Sequence, residues 1–253
     1  MVVELLERQR LGIVGFGAFG RLVAEVLGPH FDLKVHDPAY THATLADGSD
    51  IAMGPLQDIA RCDVVVLAVP VAAMRGLCLE LGPMLAEGTL LVDVGSVKMH
   101  PMAIMVELIP AHIEIVGTHP LFGPQSIGNT VAGKKIALCP VRGTRWRWVS
   151  AFLRRLGLDV IVTTAREHDQ ELATVQGLTH LIAKVIVEMG PLPDRMTTAS
   201  FDCLVDAVNM VKDDSAAVLD AIEASNPYAA DVRDTFFERA AHLRGQFDAQ
   251  STP

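Results

Sequence analysis

The chain has 253 residues, a formal net charge of −9, and 50% hydrophobic against 20% charged side chains. That is room for one large or two smaller cores. The acidic balance argues against nucleic acid or an anionic membrane surface as the main partner, while a local basic pocket for a small anionic substrate stays compatible with it. No apolar run is long enough to span a bilayer: the longest, VVVLAVPVAAM, is short and holds Pro70. The N-terminal MVVELLERQR carries charges where a secretory signal needs an apolar core. Cys62, Cys78, Cys139 and Cys203 form no CxxC pair, so neither a metal site nor a disulfide framework is expected, and a reduced cytoplasm is the default setting.

In chain order, RLGIV reads as a strand that runs into the helix of GFGAFGRLVAEVLG. DLKVHD and CDVVVLAVP are the next strands, the latter apolar on both faces as buried parallel strands require. A helical VAAMRGLCLELGPML, a strand TLLVDVG, a further helix and a strand IEIVGTH follow. KKIALCP and LDVIVTT extend the sheet, with the helix WRWVSAFLRRLG between them. This alternation predicts an α/β, doubly wound (Rossmann-type) parallel sheet domain over residues 1–163.

The pattern changes at Thr164-Ala165-Arg166-Glu167, a capping box that should start one long helix reaching about Glu188, with Pro191 and Pro193 beyond it. Residues 196–247 hold no strong strand and read as two or three helices. Residues 164–253 are therefore expected to form a smaller all-helical domain. So small a helical domain gains a core by pairing with a second copy, which predicts a homodimer.

Gly15, Gly17 and Gly20 with Phe19 make a G-x-G-x-x-G loop between a strand and a helix. The first glycine permits the tight turn, the second lets the backbone approach a pyrophosphate, and the third lets helix and strand pack closely. The helix N-terminus offers N–H groups and a positive dipole end to the phosphates. Asp37 ends the second strand 22 residues after Gly15, where an acidic side chain hydrogen-bonds ribose hydroxyls. It would repel a 2′-phosphate, and no arginine follows closely, so NAD is favoured over NADP, with a flavin as a weaker alternative. A glycine turn with a capping aspartate and no ligand is the bland alternative.

In open α/β sheets ligands bind beyond the carboxyl ends of the strands. Three loops there carry candidate chemistry: AVPV with Val69 and Pro70 passing near the cofactor, DVGSVK presenting Ser96 and Lys98, and GTHPLFG presenting His119 one residue past a strand end. Oxidising an alcohol sends a hydride to a nicotinamide and a proton elsewhere, and a histidine with a pKa near neutral is suited to take that proton. Ser96 would orient the imidazole or touch the substrate hydroxyl. The competing reading of His119 is a satisfied structural histidine in a loop.

On the long helix, Gln176, His180 and Lys184 are spaced i, i+4, i+8, a polar stripe suited to anion recognition or simply to a solvated or interface face. His168 and Asp169 in its first turn read as structural. The other histidines show no metal-ligand spacing, and RGTRWRW at residues 142–148 reads as an exposed helix start.

GFGAFG, DVGSVK, GTHPLFGP and EHDQELATVQGLTH, in this order over roughly residues 10–215, resemble the prephenate/arogenate (cyclohexadienyl) dehydrogenases of tyrosine biosynthesis. The resemblance implies NAD(P)-dependent oxidative decarboxylation of prephenate and/or arogenate to 4-hydroxyphenylpyruvate and/or tyrosine. It makes His119 the catalytic histidine at the substrate 4-hydroxyl with Ser96 beside it, and puts His180 and Gln125 on the substrate side. It also implies a dimer through the helical domain. One departure stands out. Many bacterial members carry an arginine for the substrate carboxylate on the helix after the long one, whereas here that segment reads ASFDCLVDAVNMVKDD. Lys184, Arg195, Lys212 or a partner's arginine is left to take that role, and Asp206 and Asn209 lie one turn apart on the same helix. No regulatory or mutase segment is expected, since the chain ends soon after the helical domain. Two other readings remain at this point: a β-hydroxyacid or imine reductase with Lys184 as its catalytic lysine, and a non-catalytic NAD-binding regulator.

Overall fold

The computed structural model describes residues 8–128 and 130–250. The charged N-terminal stretch read against a secretory signal falls largely on residues 1–7, outside the described residues. The chain divides into two compact units, one ending at Ala165 and one beginning at Arg166.

The first unit is built on nine strands: β1 (Arg10–Val14), β2 (Asp32–His36), β3 (Ala43–Thr44), β4 (Asp50–Met53), β5 (Val64–Leu67), β6 (Leu90–Asp93), β7 (Glu114–Pro120), β8 (Lys135–Arg142) and β9 (Asp159–Val162). Between them run α1 (Ala18–Leu27), α2 (Leu56–Ile59), α3 (Val71–Leu81), α4 (Met99–Leu108) and α5 (Trp146–Arg155). The sheet order is β3-β4-β2-β1-β5-β6-β7-β8-β9. From β1 the chain first builds outward to β2 and then returns to β5 on the other flank. The direction of winding thus reverses between β1 and β5, the position where doubly wound sheets open a ligand crevice.

β5 shows why these strands bury both faces. Side chains alternate along a strand, and Val65 and Leu67 join the core formed with α2, α3 and α4, including Ile59, Met74, Cys78, Leu81 and Met105. Val64 and Val66 join the core on the other face, with Ala24 of α1 and Val149 of α5. Each such side chain taken out of water contributes about 1.5–3 kcal/mol.

The sheet departs from an all-parallel ladder at two places. β3 and β4 pair antiparallel, and so do β7 and β8, through pairs that include His119↔Ala137 and Pro120↔Ile136. The parallel ladder of β6 on β7 ends at Asp93↔Gly117. The last three residues of β7 therefore run past the edge of β6 and are held by β8. His119 is accordingly a strand residue, as the run IEIVGTH has it, and does not lie one residue past the strand end, as the loop reading of GTHPLFG has it.

The second unit is helical. α6 (Ala165–Leu172) starts directly after Thr164, as the capping box predicts, and continues through a π-helical segment Ala173–Leu178 into α7 (Thr179–Glu188). α8 (Ala199–Asn209) has Thr198 as its cap, the Thr198 Oγ1 accepting from the Phe201 N–H at 3.3 Å. α9 (Ala216–Asp220) runs into a second π segment, Ala221–Ser225, and α10 (Ala229–Gln250) closes the described chain. A Cβ on Gly177 in the first π segment would sit 3.5 Å from Glu223 Oε1 in the second, so the two wide turns lie against each other. Among the described residues no helix is long and apolar enough to cross a membrane.

Candidate active site

The glycine loop has the geometry its spacing demands. Gly15 has φ +98°, a conformation that L side chains avoid, and an added Cβ would strike the Ala68 carbonyl and lie 3.1 Å from Val69 Cγ1. A Cβ on Gly20 would collide with the Gly15 backbone. Around Gly17, by contrast, an added Cβ meets nothing within 4 Å. Gly17 caps α1 with no side-chain hydrogen bond, so no capping side chain takes up the helix's first-turn N–H groups. Open space over a bare backbone and a helix N-terminus is a fitting cradle for a pyrophosphate. Val69 and Pro70 lie across the switch point, between β5 and α3, with Pro70 as the N-cap of α3.

Asp37 follows β2 and is tied to this loop. Its Oδ2 accepts from the Phe16 N–H at 2.7 Å and its Oδ1 from the Ala39 N–H at 2.8 Å. The carboxylate thus braces the glycine loop, and each oxygen keeps a further lone pair for a hydroxyl donor. Sequence spacing missed Arg21. Its Nε donates to the Phe16 carbonyl at 3.4 Å, and its guanidinium lies 5.0 Å from the Phe16 ring centre and 5.1 Å from that of Tyr40. Although no arginine follows Asp37 closely in sequence, the fold puts one on the same residue that Asp37 holds. The signal was its position directly after the third glycine.

Ser96 and His119 lie at the carboxyl ends of neighbouring strands, Ser96 three residues past Asp93 in β6 and His119 two past Gly117 in β7, where those strands pair. His119 is buried, at 5% exposure, and Ser96 is half-buried. By strand alternation His119 shares a face with Gly117, whose missing side chain would point at Met102 and Lys98. Lys98 is not presented to the cleft with Ser96. It is fully buried and forms an ion pair with Asp93. Gln125 is exposed, in the turn closed by the Ser126 N–H on the Gly123 carbonyl at 3.1 Å.

In the helical unit the polar stripe does not stay on one face. His180 is buried, its Nδ1 2.9 Å from the Gln176 carbonyl and its Nε2 3.0 Å from Asp214 Oδ2. Both ring nitrogens face acceptors, an arrangement that suits the doubly protonated ring. Burial opposes the charge, but the Asp214 and Gln176 hydrogen bonds outweigh it, and the pKa of His180 is raised. Gln176 is half-buried, and its Oε1 is a buried acceptor without a hydrogen-bond partner. Lys184 points to solvent and pairs with Glu188 at 3.4 Å. Eight residues of a 3.6-residue helix overshoot two turns, so the third member of the stripe rotates away. Asp214 is the residue that spacing could not find, since it lies 34 positions from His180. Arg195, Lys212, Asp206 and Asn209 are all exposed. His168 and Asp169 are buried and bonded to each other, Nδ1 to Oδ1 at 2.7 Å, and Asn226 Nδ2 donates to the Asp169 carbonyl at 2.8 Å.

Residues 35–173 match the family model described as prephenate dehydrogenase, nucleotide-binding domain. Arogenate dehydrogenase 2, chloroplastic, of Arabidopsis thaliana is 28% identical over 233 residues, covering 87% of this chain and 64% of that protein. A probable arogenate/prephenate dehydrogenase of Methanocaldococcus jannaschii is 25% identical over 207 residues, covering 78% of this chain and 46% of that protein. The chain thus spans less than two thirds of the length of these curated relatives. Among solved structures, prephenate dehydrogenase from A. aeolicus in complex with hydroxyphenyl propionate and NAD+ matches with a TM-score of 0.74 at 21% identity, covering 98% of this chain and 93% of that chain. That likeness establishes a shared fold.

Proposed function

The chain belongs to the prephenate dehydrogenase family, matched over its nucleotide-binding domain, and on that premise we propose that it catalyses the NAD-dependent oxidative decarboxylation of prephenate, arogenate or both, yielding 4-hydroxyphenylpyruvate, tyrosine or both. What supports the reading is that buried His119, in β7, and Ser96, just past β6, follow neighbouring strands of the same sheet whose first strand leads into the glycine loop. NAD bound there supplies the acceptor for the hydride that leaves the carbon bearing the 4-hydroxyl. His119 takes the hydroxyl proton as that hydride leaves, and Ser96 hydrogen-bonds the same oxygen. Loss of CO₂ then leaves its electron pair in the ring, and the phenolic oxygen regains its proton from the imidazolium. Aromatisation makes the step effectively irreversible.

Gly15, Gly17, Phe19, Gly20, Val69 and Pro70 line the cofactor side in this reading. Asp37 accepts from the adenosine ribose and disfavours a 2′-phosphate, which supports NAD over NADP. On the substrate side stand Gln125, Gln176, His180 and Lys184. The buried Oε1 of Gln176 wants a donor such as a substrate hydroxyl or ammonium. The substrate carboxylate falls to Lys184, Arg195, Lys212 or a partner's arginine.

A homodimer through the helical unit is part of the proposal. That unit leaves Met189, Met196 and Phe247 at 75%, 80% and 64% exposure, an apolar surface that a second copy would cover. Four free cysteines, three of them buried, fit a reducing cytoplasm.

The test is NADH formation by purified protein with NAD, offered prephenate and arogenate separately, for the parent and for His119→Ala. Turnover in the parent, lost in the variant with NAD still bound, is the expected result, and the rate ratio names the substrate. No turnover of either compound by a protein that binds NAD overturns the assignment.

A further inference from the structure

We propose that the buried Asp93–Lys98 ion pair is the positioning device that holds Ser96 and His119 in register, an inference that rests on the dehydrogenase reading above. Lys98 is 0% and Asp93 1% exposed. Taking both charges out of water is costly, and volume-matched apolar pairs in such positions often stabilise a fold as well or better, so a buried ion pair is weak evidence of a role in stability. Its geometry offers a better account.

The loop between β6 and α4 consists of residues 94–97, with Ser96 in it. The ion pair joins its two ends, because Asp93 is the last residue of β6 and Lys98 is the N-cap of α4. The same carboxylate closes the turn from within, its Oδ1 accepting from the Gly95 N–H at 3.0 Å while Oδ2 takes the ammonium. Asp93 also reaches the neighbouring strand. Its carbonyl accepts from the Thr118 hydroxyl at 2.8 Å, beside His119, and its backbone pairs with Gly117. The stem of Lys98 runs over Gly117, where an added Cβ would lie 3.2 Å from Lys98 Cδ and would collide with Met102 Cε. The glycine that opens GTHPLFG is thus the gap through which the lysine reaches Asp93. One hub carries the serine loop on one side and the overhanging end of β7 on the other.

The test is the double variant Asp93→Asn/Lys98→Met, which removes both charges at nearly constant volume, examined with and without Ser96→Ala. Positioning predicts a folded protein with unchanged NAD affinity and little change in KM. It predicts a kcat lower by about 100-fold, the effect of displacing catalytic groups by about an ångström. Ser96→Ala should add little in that background, because the serine is already misplaced. The ring-nitrogen NMR resonances of His119 should also move, a readout that needs no turnover. A folded double variant with kcat within about twofold of the parent and unmoved His119 resonances overturns the proposal, and failure of the double variant to fold assigns the pair to stability and overturns it too. Absence of turnover in the parent would sink the dehydrogenase reading instead, and the His119 resonances would then decide whether the pair positions that ring.

Discussion

The two units differ in how completely each buries its own apolar surface. In the α/β unit the central strands are covered on both faces, and two candidate side chains are held by the backbone around them: Asp37 by the glycine loop it hydrogen-bonds, His119 by the β8 pairing of the β7 overhang. The helical unit has few large apolar side chains that are buried, among them Leu172, Val208 and Ile222, and leaves Met189, Met196, Phe237, Leu243 and Phe247 exposed. Its buried His180 is held by one distant side chain, Asp214, and one backbone carbonyl on its own helix. The first unit therefore buries its central strands on both faces, whereas the second leaves large apolar side chains exposed, the surface on which the proposed dimer rests.

The comparison can be broken most sharply at the two histidines. His119→Ala should lower kcat by about 10²–10⁴-fold, the usual contribution of a general base, with unchanged NAD binding. His180→Ala should act mainly on KM and stability. Equal losses of kcat in steady-state assays would erase the distinction. The next largest effect concerns assembly. Phe237→Asp combined with Phe247→Asp should convert a dimer to a monomer in sedimentation, and a parent that already sediments as a monomer would remove the dimer from the reading. Within the α/β unit, Gly20→Ala pushes a Cβ into the Gly15 backbone. It should cost about 1–3 kcal/mol in denaturant unfolding and abolish measurable NAD binding.

A smaller effect comes from pH. The His180 pKa is raised in the fold, so the stability that the protonated ring contributes is fully present below its unfolded value, about 6.5. It is lost as pH rises through the higher folded value. The melting of the helical unit should therefore weaken as pH rises above about 6.5, and Asp214→Asn should flatten that dependence. A parent whose melting is flat across this range would show that the pair does not hold a proton. Smallest is Lys184→Ala. Its exposed pair with Glu188 is worth about 0.3–0.5 kcal/mol, so melting should barely move, and a large rise in KM would identify Lys184 as the carboxylate partner.

Much of the α/β unit was legible because its signals are local. The three glycines, the acidic residue at the end of β2 and the doubly apolar run of β5 each report a backbone requirement within a few residues. The short β3 and β4 and the single turn of α2 were missed. Runs of two to four residues carry too little periodicity to stand out from a turn. The π segment at Ala173–Leu178 was invisible for a related reason, since one extra residue in a turn leaves the helical pattern almost unchanged.

By itself, then, the sequence determined the order of the longer strands and helices, the passage from an α/β to a helical pattern, the glycine loop and the choice of His119 and Ser96 as the residues to watch. These follow from steric and periodic rules that act over one element. Only the tertiary structure decided between strand and loop for His119, because the β8 partner that holds it is antiparallel and follows a separate loop. Only it turned Lys98 inward to Asp93, brought Arg21 to the loop that Asp37 braces, and tied His180 to Asp214. Where a charged side chain points depends on which buried acceptor the packing leaves within its reach.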